Sequence, residues 1–170
     1  GAKTINDAII AGLPALAQAG IDVVWQTGKT YYDRCQQALI DSPTHRFTDS
    51  TMECKAFLSD MPDRYAQADL VISRAGASSI SEICLLGKAA ILVPSPNVAE
   101  DHQTHNAMAL VEKDAAAIIR DDRAQEQLIP AMESLLEDRE RISALETNIL
   151  KLGKKDASQV IAREVLALVK

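Results

Sequence analysis

Four short apolar runs, each leading into a stretch with helical spacing, constrain this chain most. They lie at residues 21–25 (IDVVW), 69–73 (DLVIS), 90–93 (AILV) and 116–119 (AAII). The runs are mostly continuous rather than alternating, as expected of strands buried on both faces of a parallel sheet. Two further strands are expected around 46–48 and 55–58. Helical stretches fall at 4–19, 30–39, 62–68, 79–86 and 103–113. Gly20 and Gly87 stand where the first and fourth of these should stop. Pro14 lies inside the first and is expected to kink or break it. This alternation predicts an α/β domain with a doubly wound parallel sheet.

The last third changes character. Leu128, Met132 and Leu135 recur at helical spacing, as do Ile142, Leu145, Ile149 and Leu152. Ala157, Val160, Ile161, Val165 and Leu168 form a third such series. Three amphipathic helices are therefore expected to cover the sheet and close the domain. With 170 residues, 47% of them hydrophobic, the chain can bury one core without disulfide or metal staples. One feature breaks the pattern: the chain opens on a helix. Gly1-Ala2 before it looks like the tail of a glycine-rich strand-to-helix turn whose strand is absent.

Composition removes several function classes. Against 24 acidic residues stand 18 basic ones, a net charge of −6, which excludes bulk attraction to nucleic acid or anionic lipid. Aromatic residues make up 4%, too few for recognition by stacking on bases. No apolar run approaches the ~20 residues of a membrane span, and GAKTINDAII lacks the layout of a signal peptide. Cys35, Cys54 and Cys84 are widely spaced and read as reduced thiols of a cytosolic protein.

The most informative stretch is DLVISRAGASSISEICLLG at 69–87. A buried strand ends at Ser73, and Arg74-Ala75-Gly76-Ala77-Ser78-Ser79 turns into a helix. Small residues there admit close approach of a ligand, and the free N–H groups of a helix start suit an anion such as a diphosphate. Ligands of open α/β sheets bind beyond the carboxyl ends of the strands. The same residues support a second reading, because Ser79-Ile80-Ser81-Glu82 matches a capping box that would merely satisfy its own helix. Spacing alone leaves both readings open. The turn is not GxGxxG, so a nicotinamide dinucleotide is not indicated.

PSPNVAEDHQTHNA at 94–107 follows the 90–93 strand to the same sheet edge. Its polar run Asp101, His102, Gln103, Thr104, His105 and Asn106 suits the hydroxyls of a sugar. A metal site at Asp101, His102 and His105 would lack an identified further ligand. A Ser/His/Asp nucleophile set lacks its G-x-S-x-G elbow. Phe57 and Leu58, before a loop, could wall a base slot or belong to ordinary core.

ISRAGASSISEI, the AILVP strand and EDHQTHNA together resemble the MurG family of bacterial UDP-N-acetylglucosamine transferases, which form lipid II. GAKTIND looks like the end of that family's glycine-rich loop. The resemblance covers the whole chain but only the C-terminal, donor-binding half of the family's two-domain GT-B fold. It implies an inverting hexosyltransferase acting on UDP-N-acetylglucosamine and a lipid-linked muramyl-peptide acceptor, without metal or cofactor. By the same resemblance, Ala77, Ser78 and Ser79 line the diphosphate, and Glu82 bonds the ribose hydroxyls. Phe57 and Leu58 flank uracil, Leu58 reading it through backbone groups. Gln103 holds sugar hydroxyls with His102 beside it. Arg74 is a motif residue that either touches phosphate or braces its loop.

The acceptor site, the general base and any membrane contact would then belong to an N-terminal half absent here, leaving this half inactive alone. The resemblance further implies a place on the inner face of the bacterial membrane for the whole enzyme, and a role in peptidoglycan synthesis, cell shape and division. A partner-dependent UDP-N-acetylglucosamine-binding subunit and a sugar-nucleotide epimerase are the alternatives. If an inner strand is absent, a slot or exposed edge is expected in the sheet, with lowered stability or self-association.

Overall fold

A computed structural model describes residues 2–42 and 50–168. Strand and helix alternate in it: α1 (Lys3–Gln18), β1 (Val23–Gln26), α2 (Tyr32–Asp41), β2 (Met52–Lys55), α3 (Met61–Gln67), β3 (Val71–Ser73) and α4 (Ala77–Leu86). Then come β4 (Ala90–Leu92), α5 (His102–Val111), β5 (Ala117–Ile118), α6 (Ala124–Glu137), α7 (Arg139–Leu150) and α8 (Ala157–Leu168). All strand pairs are parallel, but they form two sheets, β1-β2 and β3-β4-β5. The expected α/β class with parallel strands is therefore observed, with the sheet divided between β1 and β3.

β4 shows why its sequence reads as an unbroken apolar run. Ile91 and Val93 enter one core cluster, with Leu13, Trp25 and Leu128. Ala90 and Leu92 enter the other, with Ile83, Leu110 and Ile149. Both faces of the strand are buried, so no position can be polar. Residues of α1 at Ile5, Ala8, Ile9, Leu13 and Leu16 are buried on one stripe, the 3.6-residue period in physical form. Gly20 and Gly87 take φ of 69° and 63°, the left-handed conformation in which helices stop at small cost.

Several expectations are corrected. α1 runs unbroken through Pro14, and α6 likewise contains Pro130. The ring deletes one backbone bond in each, and the packed apolar faces hold the remaining turns. The strand expected at 55–58 lies at Met52–Lys55, because only Cys54 of that segment turns into the core, and Phe57 is 70% exposed. The run at 21–25 pairs from Val23 onward. The strand expected at 46–48 lies outside the described residues. Of the three C-terminal helices, α6 and α7 bury apolar residues and α8 buries none. Ile161 and Leu166 on α8 are 63% and 72% exposed. No described helix is long and apolar enough to cross a membrane.

The tightest approach in the fold is α1 against α6. A Cβ on Gly12 would lie 2.3 Å from Ile129 Cγ1, and Ile129 is itself buried. Alanine at Gly12 gains about 1 kcal/mol of helix propensity but overpacks a filled contact at about 1–3 kcal/mol. Gly12→Ala is expected to lower Tm by a few degrees, and to be neutral or stabilising in an Ile129→Ala background. Thermal denaturation of the four proteins checks this. Cys35, Cys54 and Cys84 are free and buried. Burial first, and then the neighbouring Cys54, push the Cys35 thiol up to about 11. A thiol reagent at neutral pH is expected to label none of the three rapidly in the folded protein and all of them in urea.

Candidate functional site

The site forms where the strands end and the helices begin. α4 starts at Ala77, with Gly76 as its N-cap and no side-chain cap. The first intrahelical bond runs from the Ile80 N–H to the Gly76 carbonyl at 3.0 Å. The N–H groups of Ala77, Ser78 and Ser79 therefore have no helical acceptor and face outward at the positive end of the dipole. A Cβ built on Gly76 would meet nothing within 4 Å. Neither its φ of −69° nor internal packing calls for glycine there. The space beside Gly76 is open, at the end of the helix that favours an anion.

This geometry removes the capping-box alternative for Ser79 and Glu82. A box needs Ser79 at the N-cap, and Ser79 is the third helical residue. Glu82 lies one turn further on and is exposed. Its carboxylate accepts a long contact, 3.5 Å, from the Tyr65 hydroxyl. Burial, and then the Glu82 charge, push the Tyr65 phenol above its ordinary range, so it stays a donor at neutral pH.

Arg74 braces the turn. Its guanidinium donates to the carbonyls of Val93 and Pro94 at 3.1 and 3.2 Å. It also pairs with Asp121, which follows β5. The Thr4 hydroxyl donates to the other oxygen of Asp121 at 2.9 Å. One side chain thus links the ends of β3, β4 and β5 to the start of α1. Asn106 adds a bond of 3.1 Å to the Ala75 carbonyl from the α5 side.

A cavity of about 550 Å³ opens beside this brace, lined by Lys3, Arg74, Ser95, Asn97, Gln103 and Asp121 among others. Gln103 Oε1 accepts from the Ser95 N–H at 2.9 Å, which leaves its NH2 end for a ligand. On the other side a larger groove contains Phe57, Leu58, Ser79 and Glu82, and Arg74 lines both. Leu58 is buried, and its N–H already donates to Gln26 Oε1 at 2.8 Å. The Gln26 carbonyl oxygen thus occupies the acceptor position that a base edge would take. The loop carrying Phe57 and Leu58 is tied down by Arg64, which bonds Glu53 and Asp60, each at 2.7 Å.

The structure brings Arg74, Ser79, Glu82, Phe57 and Leu58 to one groove and Gln103 to the cavity beside it. Ala77 and Ser78 are exposed on the first turn of α4, and His102 is exposed at the start of α5. His102 and His105 line neither opening, and Asp101 accepts from the Thr104 hydroxyl. Among the described residues no three His, Cys, Asp or Glu side chains gather as metal ligands. Sequence reading missed Asp121 and Gln26, and took Asn106 for a sugar contact where it bonds the Ala75 carbonyl. Asp121 sits just beyond the carboxyl end of β5, the signal that could have found it. Gln26 is found only through its partner.

The model of the glycosyltransferase family 28 C-terminal domain matches residues 1–161. A curated relative from Phocaeicola vulgatus is 48% identical over 99% of this chain, and one from Parabacteroides distasonis is 44% identical over 99%. Each is named UDP-N-acetylglucosamine–N-acetylmuramyl-(pentapeptide) pyrophosphoryl-undecaprenol N-acetylglucosamine transferase. The chain spans 44% and 45% of their lengths. The crystal structure of Acinetobacter baumannii MurG superposes with a TM-score of 0.84 at 28% identity, covering 99% of this chain and 47% of that one. On the strength of the matched domain and these relatives, the chain belongs to the glycosyltransferase family 28 C-terminal domain family.

Proposed function

We propose that this chain is the donor-binding half of a hexosyltransferase that moves N-acetylglucosamine from UDP-N-acetylglucosamine to a lipid-linked muramyl-peptide acceptor in peptidoglycan synthesis. The observation that carries the reading is the uncapped start of α4, where the amides of Ala77, Ser78 and Ser79 have no helical acceptor and the space beside Gly76 is open. The diphosphate sits there. Glu82, not engaged in capping, reaches the ribose hydroxyls, and Phe57 and Leu58 take the uracil. Gln103 bonds the sugar, with His102 beside it at the start of α5. The relatives' printed names support this assignment, since the likeness spans this chain from end to end.

Transfer then proceeds by attack of the acceptor hydroxyl on the anomeric carbon with inversion. The anomeric carbon–oxygen bond breaks, and UDP carries away the electron pair. The amides of Ala77, Ser78 and Ser79 stabilise the charge growing on the leaving diphosphate. Arg74 is a positioning residue in this account, since its Nη1 holds Val93, Pro94 and Asp121 together. The proton acceptor, the lipid-linked substrate and any contact with the inner face of the membrane belong to polypeptide outside this chain. Nothing in the arrangement of Asp101, His102 and His105 favours the epimerase alternative.

Two variants test the site by calorimetry with UDP. Gly76→Ala puts a methyl group into empty space, so Tm is expected to change little while UDP affinity falls at least about tenfold. Glu82→Ala removes charge-assisted hydrogen bonds worth about 1.5–3 kcal/mol, a loss of about 10- to 100-fold. It is also expected to erase any preference for UDP over 2′-deoxy-UDP. Unchanged affinity in both variants, or no binding of UDP to the parent chain, overturns the assignment.

A further inference from the structure

Gln26 ends β1 and is exposed, whereas its neighbours Trp25 and Thr27 are buried. Asn6 fixes that alternation. It accepts from the Trp25 indole N–H and donates to the Thr27 carbonyl, each at 3.0 Å. The pleat therefore turns Val24 and Gln26 to the opposite face. Both line the groove that also contains Phe57, Leu58, Ser79 and Glu82. From there the Gln26 side chain reaches the loop after β2 and accepts from the Leu58 N–H at 2.8 Å. Because the partner is a donor, the carboxamide must present its oxygen to it.

The loop does not depend on this bond for its shape. Arg64, on α3, bonds Asp60 through Nε and Glu53 through Nη1, each at 2.7 Å. Its Nη2 reaches the second Glu53 oxygen at 3.2 Å. The chain is thus clamped both before and after Phe57 and Leu58. The Leu58 side chain, 6% exposed, adds an anchor of its own. What Gln26 supplies is an acceptor. A backbone N–H carries one proton and takes one good acceptor at a time. A ligand that displaces Gln26 must bring an oxygen of its own or leave the donor unpaired. The ring carbonyl of uracil is the same kind of acceptor as the carboxamide it would replace.

We propose that Gln26 is a stand-in for the base. Its carboxamide oxygen holds the Leu58 N–H while the groove is empty, and it swings aside when a nucleotide base brings a carbonyl oxygen to the same donor. This role rests on the assignment of Phe57 and Leu58 to the base, and adds to it a competitor within the chain. Gln26 is exposed, so on leaving it finds water for its oxygen and buries nothing. The exchange trades one hydrogen bond for another, so the base contributes less to affinity than it would against a vacant donor. A ligand that carries a diphosphate without a base leaves Gln26 in place.

The test compares the parent chain with Gln26→Met, which keeps the length of the side chain and removes its strong acceptor. Without nucleotide, the Leu58 amide is expected to exchange about 2- to 10-fold faster in the variant, the net effect of one neutral hydrogen bond. By calorimetry, UDP is expected to bind the variant about 2- to 10-fold more tightly than the parent, and pyrophosphate to bind both equally. Gln26→Glu, whose carboxylate holds the N–H more firmly, is expected to weaken binding of uridine, a neutral ligand that the added charge does not repel. Unchanged or weaker UDP binding by Gln26→Met overturns the proposal, as does equal exchange of Leu58 in the two empty proteins. If Glu82→Ala weakens UDP binding while Gln26→Met does not tighten it, the stand-in role falls alone and the donor site stands. If UDP binds neither the parent nor the variant, the donor site falls and the stand-in role with it.

Discussion

Helix α1 holds together two sheets that share no hydrogen bond. Its buried stripe packs on α6 so closely that Gly12 has no room for a Cβ against Ile129. Asn6, 2% exposed, accepts from the Trp25 indole N–H and donates to the Thr27 carbonyl, which fixes β1 to the helix. Thr4 bonds Asp121, which fixes the β3-β4-β5 side. A buried asparagine with both ends of its carboxamide satisfied specifies one geometry, since any other leaves a polar group unpaired. The relative placement of the loop at Phe57 and the turn at Gly76 follows from that clamp.

The proposed function asks a chain of net charge −6 to offer a site to a doubly anionic donor. Bulk electrostatics oppose the approach, so binding must rest on local fields. Parallel strands put their carboxyl ends, and hence the starts of α1, α4 and α5, at one edge. Unbonded N–H groups at those starts act at hydrogen-bond range, where ionic screening is weak. Arg74 lies in the turn, and its charge is paired with Asp121. Under the proposed function, the backbone amides would hold the phosphates and the arginine would keep the turn in place.

Much of this was legible in the sequence. The continuous run AILV announced a strand buried on both faces, and Ala90–Leu92 is one. The division of the strands into two sheets, between β1 and β3, has no counterpart in the apolar runs themselves. The turn at 74–79 was legible as a strand-to-helix turn, but the choice between an open helix start and a capping box was not. Whether Ser79 caps α4 depends on where the helix starts, and a boundary two residues earlier decides it. Arg74 could not be resolved from sequence either, because its partner Asp121 lies 47 residues away. The amphipathic period of Ala157–Leu168 was read correctly as a helix and wrongly as a cover for the sheet. Periodicity reports that a helix has an apolar face, not that this domain supplies the surface to bury it.

The account's central claim is that the donor diphosphate sits on the first turn of α4, between the loop at Phe57 and the brace at Arg74. Amide chemical-shift mapping during a titration with UDP tests it most directly. The account predicts that saturable shifts concentrate at Gly76 to Glu82 and at Gln26 and Leu58, and leave α7 and α8 unmoved. Saturable shifts centred elsewhere, with the Ala77, Ser78 and Ser79 amides unaffected, would contradict it.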